Sequence, residues 1–119
     1  VTVDDPAQVR QAIKVMEEAV HTREPLYLSL VVLCEAVWVL RSFYRHTRHD
    51  ISGTLERMLG NEALAIEDAN LVSGCLDQYR HGRGDFSDYV IGALAQQAGC
   101  SLTYTFDRNL RGAAGFHVL

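Results

Sequence analysis

A chain of 119 residues supports one domain with one hydrophobic core. Its 48% hydrophobic and 22% charged residues are those of an ordinary globular protein, and a net charge of -4 argues against a nonspecific coat for nucleic acid. Residues 1–20 are acidic and amphipathic, unlike a signal peptide, and the apolar run from Leu26 to Leu40, broken by Ser29 and Glu35, is too short and too polar to span a bilayer.

Asp5-Pro6 opens the first helix, with Asp5 as cap and Pro6 in the first turn. Val9, Ala12, Ile13, Met16 and Val20 follow at helical spacing as one apolar stripe. Glu24-Pro25 breaks the pattern, and Leu26 to Leu30 reads as a short buried strand. Val31 to about Arg45 reads as a helix buried on most sides, since apolar residues cover nearly every face. Ile51, Leu55, Met58 and Leu59 mark a third helix that stops near Gly60.

Leu64 to Ile66 is a second strand, after which Asp68 caps a helix carrying Val72, Cys75, Leu76 and Tyr79. His81-Gly82-Arg83-Gly84 is a loop. Asp85 caps the next helix, which carries Tyr89, Val90, Ala93, Leu94 and Ala98 and stops at Gly99. Leu102 to Phe106 and Phe116 to Leu119 are the last strands. Short strands alternating with helices imply an α/β fold with a mainly parallel sheet, whose ligand site lies beyond the carboxyl ends of the strands.

Cys34, Cys75 and Cys100, an odd number in apolar surroundings, read as reduced core residues of a cytoplasmic protein. No Cys/His spacing marks a zinc site. Between Ala36 and His49 there is no acidic residue, while Arg41, Arg45, His46, Arg48 and His49 all fall there. This is either a local basic surface or a solvated helix end with cations placed against the dipole. Trp38 in the same region reads as a core residue.

Three acids stand out. Glu35 is the one charge between Leu26 and Leu40 and needs a cation or hydrogen-bond donors. Asp88 lies in the first turn of its helix, where the dipole alone favours an acid. Asp107 follows the strand ending Thr105-Phe106, a strand end that is also ordinary turn chemistry.

The run Asp85-Phe86-Ser87-Asp88-Tyr89-Val90-Ile91-Gly92-Ala93-Leu94-Ala95, then Gly99-Cys100, then Thr105-Phe106-Asp107-Arg108-Asn109-Leu110, resembles the carboxyl-terminal signature of VapC-like PIN domains. Glu35-Ala36-Val37-Trp38-Val39-Leu40 resembles the second-helix motif of that family, and Asp4-Asp5-Pro6, Leu64-Ala65-Ile66-Glu67-Asp68 and the final strand match in order and spacing. The resemblance implies a three-layer α/β/α fold around a short, mainly parallel sheet, as a single domain over residues 1–119.

It also implies a metal-dependent endoribonuclease toxin of a VapBC-type toxin–antitoxin system. Glu35, Asp88 and Asp107 would line an acidic pocket for Mg2+ or Mn2+, hard ions that favour carboxylate oxygen. Thr105, Arg108 and Asn109 would orient ligands or touch substrate, and Arg41, Arg45, Arg48, Arg80 and Arg83 would hold RNA phosphates, with Arg111 near Asp107 as a further cation. The implied partners are RNA, a cognate antitoxin and a second copy of the chain, with no membrane.

Family members begin with a strand ending in an aspartate, and this sequence has no such segment. Val1-Thr2-Val3-Asp4-Asp5 corresponds to the residues just after it, where capping accounts for Asp4 and Asp5. That strand is central in the family's sheet, so its absence is expected to leave unpaired backbone on both neighbours. Either it precedes Val1, or another copy donates an equivalent, or the sheet closes up differently. The last two predict weak or no nuclease activity. The alternative function is therefore a catalytically inactive PIN module that dimerises or captures the antitoxin through apolar residues around Trp38. The plainest reading is a structural domain whose acids are caps and ion pairs.

Overall fold

The computed structural model describes residues 6–119. The order is α1 (Pro6–Thr22), β1 (Leu26–Leu28), α2 (Leu30–Ser42), α3 (Arg48–Leu59), β2 (Leu64–Ile66), α4 (Ala69–His81), α5 (Phe86–Gln97), β3 (Thr103–Thr105), a 3-10 turn (Arg108–Leu110) and β4 (Phe116–Val118). Local chemistry sets most of the boundaries. The Ser29 and Asp68 side chains accept from Val32 N and Leu71 N to cap α2 and α4. Thr47 and Asp50 form a reciprocal capping box at the start of α3, and Gly60 ends that helix. Gly99, at φ +90, takes the left-handed conformation that turns the chain away from α5.

All strand pairing is parallel, in an α/β arrangement. β1 pairs with β2 in the register Leu26 to Leu64, and β3 pairs with β4 in the register Thr103 to Phe116. The two pairs are separate two-stranded sheets, with no ladder between β1 and β3. In a parallel ladder alternate residues bond to one neighbour. Leu26 N donates to Ala63 O and Leu28 O accepts from Glu67 N, so Leu26 and Leu28 serve β2 while the backbone of Tyr27 faces away. Thr103 and Thr105 serve β4 in the same way, leaving Tyr104 facing away. Among the described residues the two halves do not pair with one another, and the flanks of β1 and β3 carry no partner strand.

The core lies between the helices. Leu33 of α2, Ile51 of α3, Val72 and Cys75 of α4, Phe86 of α5 and Leu110 of the 3-10 turn are its most deeply buried members. Leu28, Ile66, Phe116 and Val118 bring both sheets against this one cluster. Arg48 pins α3 to α4: its guanidinium donates to Tyr79 O at 2.7 Å and lies 4.2 Å from the centre of the Tyr79 ring.

Several expectations need correction. α2 ends at Ser42, not near Arg45. It is not buried on most sides, because only Leu30, Leu33 and Val37 are buried, while Val31 is 68% exposed and Trp38 53%. Neighbours cover one face of a mostly apolar helix here, and Trp38 lies outside the core, edge-on to Phe43. Cys100 is exposed, so it is no core residue, although all three cysteines are free. α4 runs through His81, one residue into the expected loop. On α1, Ile13 and Val20 are exposed and Ala19 is buried, so the expected stripe does not face the core at those two positions. Asp4, Asp5 and the side chains of Val9, Ala12 and Met16 lie outside the described residues. Among the described residues no helix is long and apolar enough to cross a membrane.

Candidate active site

Asp107 stands at the carboxyl end of β3, held in a tight local turn. Its backbone N–H donates to Thr105 Oγ1 at 3.0 Å, and its Oδ1 accepts from Asn109 N at 2.9 Å. The buried Leu110 anchors that turn in the core. Thr105 and Asn109 therefore act on Asp107 directly: one fixes its backbone, the other one carboxylate oxygen. Oδ2 has no hydrogen-bond partner among the described residues.

Asp88 comes from the first turn of α5. Its Oδ2 accepts from Asp85 N at 2.9 Å, a capping contact, and it is half-buried. Burial pushes its carboxyl above the usual carboxylate value, the nearby charge of Asp107 pushes it further, and the Arg41 guanidinium opposes both. The fold thus brings two carboxylates from separate elements within electrostatic reach of one another. Arg41 is held beside them by an ion pair between its guanidinium and Asp85.

Glu35 is placed differently. It is exposed on α2 and lines an apolar groove between α2 and α5, with Trp38, Ser87, Ile91 and Leu94 among its neighbours. Its charge is not among those that perturb Asp88. Among the described residues no group of three or more His, Cys, Asp or Glu side chains is arranged to hold a metal ion. The fold brings together Asp88 and Asp107 and leaves Glu35 on the wall of a groove that neither of them lines.

The candidate RNA contacts divide into engaged and open cations. Arg41 pairs with Asp85, Arg80 with Glu56 at 2.6 Å, and Arg48 is committed to Tyr79. Arg45, at φ +53, Arg83 and Arg108 are exposed without an acidic partner among the described residues. The pairing of Asp85 with Arg41 was not foreseen. Asp85 is fully accounted for as a cap, and the basic segment that holds Arg41 is far away in sequence.

Asp107 at the carboxyl end of a parallel strand, within electrostatic reach of Asp88 at the start of a helix, stands where α/β folds carry their ligand sites. The PIN domain matches residues 1–115, so the chain belongs to the PIN-domain family, whose members are nucleases as a class. No curated protein and no solved structure matches it.

Proposed function

We propose that the chain is a Mg2+- or Mn2+-dependent endoribonuclease toxin of the VapBC type, restrained by a cognate antitoxin. The observation that carries this reading is the Asp88–Asp107 pair, in which burial and then the charge of Asp107 hold the Asp88 carboxyl above its ordinary value. Two carboxylates with hard oxygen donors, one oxygen of each outside the local turn bonds, suit an ion that keeps several waters and takes one or two protein carboxylates. When bound there, such an ion supplies an activated water and offsets charge on the phosphate. The chain's own residues do the positioning: Asn109 N–H aims Asp107, Asp85 N–H aims Asp88, and Arg41 supplies positive charge at the rim.

Asp107→Asn should lower RNA cleavage in the presence of manganese by at least ~100-fold while leaving the fold intact. Equal cleavage by the parent chain and this variant would refute the reading.

A second reading is favoured by one observation. The groove between α2 and α5 is almost wholly apolar, and Val31, Trp38, Ile91 and Leu94 stand exposed around it. A monomer rarely shows such a patch without a partner. On this reading the chain is an inactive PIN module that dimerises or binds the antitoxin. Sedimentation of the purified chain, alone and with an antitoxin peptide, tests it; a monomer that binds no peptide would end it.

A further inference from the structure

A polar cavity of about 470 Å3 opens between the end of α4, α5 and the segment after β3. Gln78 and His81 line it from the end of α4, Arg83 from the loop that follows, Tyr89 from α5, and Asn109 and Arg111 from the segment after β3. No carboxylate lines it. Arg83 and Arg111 are both exposed, and neither has an acidic partner among the described residues. Of the lining residues, His81 has Nδ1 3.6 Å from the Asp77 carboxylate, and Asn109 donates its backbone N–H to Asp107. Two guanidiniums from separate segments thus share one cavity without a counter-charge, in a protein whose net charge is -4.

The walls are built rather than incidental. The Tyr89 hydroxyl accepts from Gly84 N at 3.0 Å, and a Cβ at Gly82 would run into that hydroxyl, so the loop bearing Arg83 packs tightly on α5. Gly112, at φ +79, makes the turn that follows Arg111. The cavity is also joined to the acid site. Asn109, whose backbone N–H holds Asp107, lines it, and Tyr89 follows Asp88 in the chain.

We propose that this cavity is a phosphate subsite, which seats one phosphodiester of an RNA strand whose neighbouring linkage lies at Asp88 and Asp107. The inference rests on the nuclease reading for the identity of the strand. The anion itself follows from the cavity. A guanidinium offers planar paired donors that match phosphate oxygens, and the amides of Gln78 and Asn109 add neutral donors. The missing counter-charge is an external anion.

The test follows the arginine side-chain N–H signals by NMR during titration with inorganic phosphate and, separately, with a short oligoribonucleotide under EDTA, so that no divalent ion is present to support cleavage. Both probes should move the Arg83 and Arg111 signals. Arg83→Gln with Arg111→Gln should weaken oligonucleotide binding at least ~10-fold and lower its dependence on log salt by about 0.7, the share of one neutralised phosphate. Unchanged binding by this double variant, or shifts confined to other arginines, would overturn the subsite. Phosphate binding that the oligonucleotide fails to displace would also overturn it, as a site for free phosphate. Asp107→Asn keeps the two readings apart. If it stops cleavage but leaves the arginine shifts, both hold; if it leaves cleavage intact while the arginine shifts persist, the nuclease reading falls and the anion site stands.

Discussion

Replacing Arg48 with methionine keeps the aliphatic stem and removes the guanidinium that ties α3 to α4. The Tyr79 carbonyl is one of the last four of α4 and lies at the negative end of that helix. Gly82 N takes the carbonyl of Gln78, and Arg48 takes that of Tyr79. A charged hydrogen bond of this kind is worth about 1.5–3 kcal/mol. The contact with the Tyr79 ring adds about 0.5–1 kcal/mol at a partly exposed position. The two share one side chain and do not add fully, so Arg48→Met should cost about 2 kcal/mol. At roughly 4 °C per kcal/mol for a chain of this length, the melting temperature falls by about 8 °C. Arg48→Lys keeps a donor for the carbonyl but not the flat stacking group, and should lose about half as much. Circular dichroism against temperature and urea measures both. A methionine variant within about 0.5 kcal/mol of the parent would refute the account, since that is the range of an inert surface change. The RNA assay gives a second check. If Arg48 is spent inside the fold, its loss leaves the salt dependence of RNA binding unchanged, whereas a lost phosphate contact would lower the slope by about 0.7.

Two glycines should respond oppositely to alanine. A Cβ at Gly92 would sit 2.6 Å from Phe116 Cζ, so Gly92→Ala should lose about 1 kcal/mol, while Gly74, with nothing within 4 Å, should gain about 0.5–1 kcal/mol; an equal sign in urea unfolding would contradict this. The exposed Cys100 should react with iodoacetamide first and Cys75 last, because burial pushes the Cys75 thiol up to about 11. Mass spectrometry at pH 8 reads the order, and equal rates in the native protein would overturn it. Bonds from Thr47 hold the Asp50 carboxyl below its ordinary value of 3.8. The folded state therefore binds that proton less readily than the unfolded chain, and the stabilisation is complete above the ordinary value and lost as pH falls through the lowered one. The stability gap between the parent and Asp50→Ala should shrink on acidification over that window, and a gap that widens would contradict the sign.

What was legible in the sequence was mostly local. Gly60 and Gly99 as stops, Asp68 and Asp85 as caps, and the strand from Leu64 to Ile66 depend on neighbours in the chain, and the structure places them as expected. What depends on distant partners was not legible. The apolar residues of α2 occur on every side, so nothing in their spacing says that Val31 and Trp38 face out. The basic run from Arg41 to Arg48 reads as either a basic surface or a solvated helix end, yet Asp85 holds its first arginine and Tyr79 its last. The acid pair was found through resemblance, since Asp88 and Asp107 each read alone as a cap or a turn. The position of Glu35 is set by how α2 packs on α5, which periodicity does not record.

The open flanks at Tyr27 and Tyr104 have a further consequence. Among the described residues no backbone hydrogen bond joins the two half-sheets, which meet through the side chains of the shared core. A pair of strands holds together poorly by itself, which makes the helical layer the common clamp for both. Within each inner strand, hydrogen exchange should alternate residue by residue: slow at Leu26 and Leu28, or Thr103 and Thr105, and rapid at the tyrosine between them.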